Sequence, residues 1–392
     1  MTAPAYLDIH VLQALPFSNV NRDDLGAPKT VVFGGAERTR ISSQSWKRVI
    51  RKHVEEQLGE RTVRTRRVVR GVAERLQAQG WAEEEAYAAG IQVAVSAGKG
   101  ISLQPDKDDN DSLVLTTNVL LLLPESGIDE LAQLAAGHRD AILAESKRAK
   151  KATEVKAKLP NEDVAEILSR RSGTINLFGR MLAELPGANV DGAVQVAHAF
   201  TTHGTQVEYD FFTAVDDVEE QLNLTGSGHL NTAMFSAGTF YRYANINLTD
   251  LVGENNLAGN TDAAAALVSA FLDGFLNKLP TGKQNSTAPM TPADLVHIAV
   301  RDDRPASLAN AFEAPVWGRR GHLVESVNRL IEQSRTVTRL LGEDHVLHAG
   351  YTATAAALAE GQATEIQLGT RYESFDELIR VAVTNAYPGA RP

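Results

Sequence analysis

Three serines, Ser42, Ser43 and Ser45, stand directly before a run of cations in the stretch RTRISSQSWKRVIRK, residues 38 to 52. Serine hydroxyls, the first amides of a helix and guanidinium forks are all donors, and together they suit an anion with several oxygens, above all a phosphate. Ser42 or Ser43 can cap a helix in which Trp46, Val49, Ile50, Val54 and Leu58 recur at i, i+3, i+4 spacing. That stripe predicts packing on a sheet, with Arg48, Arg51 and Lys52 pointing the other way and Lys47 at the margin. A second chemistry is also open. Acidic pairs occur at Asp23–Asp24, Asp216–Asp217 and Asp302–Asp303, and with His198, His203 and His229 they could build a magnesium-dependent nuclease site. No HxxEH or nucleophile-elbow spacing accompanies them, and Asp pairs commonly cap turns.

The 392 residues carry a formal charge of −10, so a uniformly basic nucleic-acid binder is excluded. The charge is uneven, however. Residues 38 to 70 hold eleven Lys or Arg against three acids, a local +8 that leaves −18 for the remainder. Such a patch can grip phosphates while the rest of the surface keeps the chain soluble. Cysteine is absent, which removes disulfides and thiolate chemistry, and no cofactor or metal motif is recognisable. No apolar run approaches the ~20 residues of a membrane span, and the amino terminus lacks a charged-then-apolar signal pattern, so the expected location is cytoplasmic with no membrane partner.

The elements that must position these residues read as α+β. YLDIHVLQAL alternates Leu7, Ile9 and Val11 inward with Asp8 and His10 outward, a half-buried strand, and TVVFGGAERTRI is extended with a break at Gly34–Gly35. From about 60 to 170 the chain is helix-rich and charge-dense, with a polar linker at PDKDDNDS. Strand-like runs return between 171 and 250 and again near 293 to 303, and two helical patterns close the chain.

NRDDLGAPKTVVFGGAERTRISSQSWKRVIRK closely resembles the amino-terminal signature of the CasC family, the CRISPR RNA-binding backbone subunit of the type I-E CRISPR Cascade complex. The resemblance continues through VDGAVQVAHAFTTH, YDFFTAVDD, GTFYRYANINL and PADLVHIAVRDDRPASLANAFE. It implies an RRM-like (ferredoxin-like) palm in residues 1–60 and 171–392, a helical fingers insertion at 61–170, and a β-hairpin thumb at about 204–240. It implies a non-catalytic role, polymerisation of copies head to tail along the CRISPR RNA, and support for pairing with target DNA. A metal-dependent ribonuclease of a related CRISPR backbone class is the alternative.

The palm contacts to CRISPR RNA that the resemblance implies fall on Arg22, Arg40, Ser42, Gln44, Lys47, Arg48 and Arg51. Between Met181 and Tyr241 there is no Lys or Arg at all, so that segment cannot grip phosphates by charge. It suits apolar wedges against bases, which the resemblance assigns to Met181, Thr213 and Leu230, with Gly226, Ser227 and Gly228 in the thumb. Lys283, in TGKQNSTAP, is the candidate contact to target DNA. The other implied partners are the remaining Cascade subunits: a 5′-handle subunit, a 3′-hairpin endonuclease, a small subunit and a large subunit.

Overall fold

The computed structural model describes residues 3–98, 100–106, 114–149, 151, 154–215, 227–358 and 368–391. The chain opens with β1 (Tyr6–Ser18), the hairpin of β2 (Thr30–Phe33) and β3 (Ala36–Ile41), and α1 (Ser43–Leu58). A segment of short strands and helices follows: β4 (Thr62–Thr65), α2 (Val68–Ala78), α3 (Glu83–Ser96), β5 (Leu103–Pro105), β6 (Leu115–Thr117), β7 (Leu121–Pro124), α4 (Glu125–Gly137), α5 (Arg139–Arg148), α6 (Asn161–Ser169) and α7 (Gly173–Phe178). Strands return as β8 (Val194–Val196), β9 (Ala199–Thr201), β10 (Glu208–Val215) and β11 (Ser227–Asn247), then α8 (Leu248–Val252), α9 (Thr261–Asn277) and α10 (Gln284–Thr287). The last elements are β12 (Leu295–Arg301), α11 (Leu323–Leu341), β13 (Val346–Ala353), β14 (Thr370–Arg371) and α12 (Phe375–Ala386).

β1 organises the large sheet. It pairs antiparallel with β11 on one side and with β12 on the other. β11 and β12 are therefore parallel to each other, and the helical crossover through α9 that joins them with β1 between is a split βαβ unit. The chain is thus mixed α+β around this sheet. Residues 171 to 193, which the sequence predicts to be strand-like, instead begin with the short helix α7, and strands resume only at Val194.

Asp8 and His10 correct a second expectation, because both are buried rather than turned to water. The Asp8 carboxylate accepts from Tyr243 Oη at 2.7 Å, Asn245 Nδ2 at 3.1 Å and Ala306 N–H at 3.0 Å, and His10 Nδ1 shares a 2.9 Å hydrogen bond with Tyr241 Oη. Alternation in β1 separates two buried layers, one apolar and one polar, because helices cover both faces of the sheet. Burial raises the Asp8 pKa and lowers that of His10 well below the usual imidazole value.

The break at Gly34–Gly35 is a two-residue hairpin turn with φ of +58° and +74°, the signs a twisted β-hairpin needs. A Cβ on Gly34 would lie 1.5 Å from the Glu313 carbonyl oxygen, so the position also lacks room for any side chain. Contacts divide the chain into two compact units, Met1–Val54 with Val194–Pro392, and Glu55–Ala193. The inserted unit has its own apolar core, including Val72, Leu76, Val93, Leu131, Ile142 and Val164. It reaches past residues 61 and 170 at both ends. At one end the Glu55 carboxylate accepts from Thr62 N–H, and at the other Ala193 N–H donates to Asn176. Among the described residues no helix is long and apolar enough to cross a membrane.

Candidate nucleic-acid interface

Helix α1 has a committed inner face. Trp46 is 1% exposed, and the Arg242 guanidinium lies 4.0 Å from its ring centroid and 4.7 Å from that of Phe275. The same guanidinium donates to Gln13 Oε1 at 2.6 Å and to the Phe275 carbonyl, and burial lowers its pKa to about 9. His53, also inward, is hydrogen-bonded to Asp273 on α9. Ile50 and Val54 complete the stripe, but Leu58 at its end is exposed. With these contacts fixing the rotation of the helix, Gln44, Arg48 and Lys52 face out and Lys47 is half-buried, its pKa lowered by that burial.

A loop brings Arg22 to this outer face. Asp23 Oδ1 accepts from Leu25 N–H and Ala27 N–H, both at 2.9 Å, so this aspartate builds a turn. Asn19 Nδ2 ties the loop to the Met234 carbonyl on β11, and Asn21 Oδ1 accepts from Ser42 N–H at 2.8 Å. Arg22 is exposed and makes no ion pair with Asp23 or Asp24 among the described residues. It joins Arg48, Lys52, Ser45 and the 280–282 loop around a groove of about 570 Å³. Gly282 is required there, since a Cβ would lie 2.5 Å from the Val20 carbonyl oxygen. Lys283 follows at once, exposed and in the left-handed conformation, and lines an adjoining hollow with Gln284 to Ser286. Arg22 and Arg48, expected to meet RNA, and Lys283, expected to meet DNA, therefore line neighbouring hollows.

Ser42 proves to be the cap. Its Oγ and carbonyl accept from Ser45 N–H, its carbonyl also takes Trp46 N–H, and Ser43 N–H donates to His198 Nδ1. Three of the four leading amides are thus occupied, so the free amide row expected at the start of α1 is reduced to Gln44 N–H among the described residues.

The cations of residues 38 to 70 are divided between the two units, and several are buried or paired. Arg38 is fully buried, where its guanidinium donates to the carbonyls of Phe33, Thr201, Phe312 and Glu313. Arg61, Arg67 and Arg70 belong to the inserted unit and pair with Glu125, Asp106 and Glu74. Arg40 is half-buried, its Nε donating to the Thr30 carbonyl at 3.2 Å. Arg64 and Arg66 are exposed in the inserted unit, and around α1 what remains for a ligand is its outer row and Arg22.

Met181, in the inserted unit, is 89% exposed rather than core. The preceding Arg180 holds its backbone in place: the buried guanidinium donates to the carbonyls of Ala188, Leu122, Leu168, Arg170 and Ser169, and burial lowers its pKa to about 10. Thr213 and Leu230 are directly opposed partners in the β10–β11 ladder. The segment between these strands, residues 216 to 226, lies outside the described residues. Tyr209, Phe211 and Phe212 on β10 are exposed, with Phe211 at 68%.

The nuclease candidates separate in space and in role. His203 stacks on His322 at 3.7 Å, and its Nε2 accepts from Thr239 N–H; burial lowers its pKa to about 4. Among the described residues, Asp302, Asp303 and His345 bring potential ligand atoms within 4.8 Å of one another, but both Asp303 oxygens are taken by Arg301. Asp216 and Asp217 lie outside the described residues, and nothing is described of the His229 side chain. Ser45 and Lys52, which the sequence already places among the phosphate donors of α1, both line the groove. The hairpin aromatics Tyr209, Phe211 and Phe212 are exposed without having been singled out as site residues from sequence.

Residues 7–381 match the profile of the CT1975-like protein family. The chain belongs to that family. Two solved structures align over 97% of this CT1975-like chain. One, from a CRISPR RNA-guided surveillance complex described as pre-nicking, is 48% identical with a TM-score of 0.89 and is covered over its whole length. The other, from a CRISPR RNA-guided surveillance complex, is 42% identical with a TM-score of 0.78 and is covered over 99%. No curated protein matches significantly.

Proposed function

We propose that the chain is a cytoplasmic, non-catalytic backbone subunit of the type I-E Cascade surveillance complex, binding CRISPR RNA and supporting its pairing with target DNA. The observation that carries this is the groove: Arg22, Arg48 and Lys52 converge from two segments on a helix whose other face is buried. That solved structures 48% and 42% identical come from CRISPR RNA-guided surveillance complexes makes the guide RNA the polyanion to test. Arg22, Arg40, Ser42, Gln44, Lys47, Arg48 and Arg51 hold the RNA backbone, and Met181, Thr213 and Leu230 wedge between its bases. In this reading the sheet unit is the palm, the inserted unit the fingers and the β10–β11 hairpin the thumb. Copies assemble head to tail, a heterologous contact that RNA length and capping subunits must terminate. The partners are the 5′-handle, 3′-hairpin endonuclease, small and large subunits.

The test is the RNA that co-purifies when the chain is expressed with its genomic neighbours. One species of defined length is expected. RNA of mixed lengths sinks the reading in favour of a generic single-strand binder, and cleavage of bound RNA on adding magnesium sinks it in favour of the ribonuclease.

A further inference from the structure

His198 lies outside the groove. Strand register fixes its place: Arg40 pairs with Phe200 and Ile41 with Ala199, so antiparallel pairing brings His198 opposite Ser42. There its Nδ1 accepts the Ser43 N–H at 3.1 Å. A backbone amide can only donate, so Nδ1 is unprotonated and the neutral ring carries its proton on Nε2. The ring is exposed, which leaves that Nε2–H open to a ligand.

Two cations stand beside it. Arg40 N–H donates to the Lys29 carbonyl at 2.7 Å, which joins the two residues, and both act electrostatically on the imidazole. Partial burial, and after it these two charges, lower its pKa, which favours the neutral ring that the bond from Ser43 requires. The result is an uncharged donor of fixed direction set among positive charges. Such a group adds orientation to an anion site without adding charge.

We propose that His198 is a further contact to the nucleic-acid backbone, its Nε2–H donating to a phosphate oxygen whose charge Arg40 and Lys29 balance. The proposal rests on the RNA-binding reading above. It requires that the ring act through Nε2, while a purely structural role would act through Nδ1.

Two substitutions separate these atoms, because an asparagine amide reaches the position of Nδ1 and a glutamine amide that of Nε2. In binding of a single-stranded RNA oligonucleotide, His198→Asn is expected to weaken affinity about three- to tenfold, and His198→Gln to stay within about twofold of the parent protein. The slope of log affinity against log salt should be unchanged in both, since no counterion is released through a neutral ring. An Arg48→Ala/Arg51→Ala protein in the same assay tests the underlying reading. If it binds RNA as the parent does, RNA binding through α1 fails; if it is weakened while His198→Asn is not, only the His198 proposal is overturned. Equal losses in the Asn and Gln proteins also overturn it. Independently of folding of any variant, bound RNA should slow diethylpyrocarbonate modification of His198 in the parent protein, and an unchanged rate counts against the contact.

Discussion

Helix α1 and the β10–β11 hairpin present their side chains to solvent on opposite terms. α1 points cations outward because Trp46, Ile50, His53 and Val54 commit its other face to the sheet and α9, so its charges are held in one direction. The paired arms of the hairpin, Glu208–Val215 and Ser227–Phe235, carry aromatics and no Lys or Arg, and Tyr209, Phe211 and Phe212 are exposed. Coulomb attraction to phosphate tolerates small errors in position and ignores base identity, whereas an apolar wedge works only where a base can be displaced. In the proposed RNA-binding reading, affinity belongs to the first region and spacing along the strand to the second.

The sharpest way to break this contrast is to loosen the inner face of α1. Trp46→Ala should cost ~3–5 kcal/mol of stability, seen as a large fall in Tm, because it empties the space beneath Arg242. A Tm close to that of the parent protein would show that the cations are not oriented by this packing. Acid tests the framework that both regions share. His203 and His297 have folded-state pKa values of about 4, below the ordinary imidazole value, so the unfolded chain takes up protons first as the pH falls. Their stabilisation is complete above ~6.5 and is lost progressively towards pH 4, with uptake approaching about two protons per unfolding event. Denaturant titrations at pH 7 and pH 5 should show the loss, and equal midpoints would contradict it.

Replacing Lys47, Arg48 and Arg51 by alanine should weaken RNA binding about a hundredfold for every guide sequence and flatten the salt slope by ~0.7 for each phosphate that is no longer neutralised. Unequal losses among unrelated guides would show that α1 reads bases. For the hairpin, single mismatches walked along the guide should be tolerated at a regular interval in target-DNA binding and cost more between those positions. A smooth profile removes the wedges. Lys283→Ala should have the smallest effect, a fewfold loss of target-DNA affinity with RNA binding unchanged; a loss of RNA binding as well would merge its hollow with the groove beside it.

The sheet, the closing helices and the outer row of α1 were legible because period 2 and period 3.6 are written in the chain itself. Sequence proximity misled where tertiary contacts decide. Arg38 sits in a basic run yet serves four carbonyl oxygens in the interior, and Asp8 looked solvated because polar alternation is the same whether the second face meets water or a buried hydrogen-bonded layer. Met181 was marked only by the family resemblance, since a lone methionine by itself reads as core; the backbone around Arg180 turns it outward. His198 gave no signal of its place, which depends on a strand register 155 residues away from Ser43.

The central position of β1 also sets a schedule for synthesis. Both of its partners lie more than 200 residues downstream, so on the ribosome this strand waits roughly ten to forty seconds for β11 and longer for β12 at ~5–20 residues per second. All of Glu55–Ala193, with its separate core, emerges during that interval. For that time the first strand is an unpaired apolar ribbon, open to self-association or to chaperones. Nascent chains halted near residue 220 should therefore resist protease within the inserted unit while remaining cleavable at β1, and protection of β1 should appear only after β12 has left the exit tunnel.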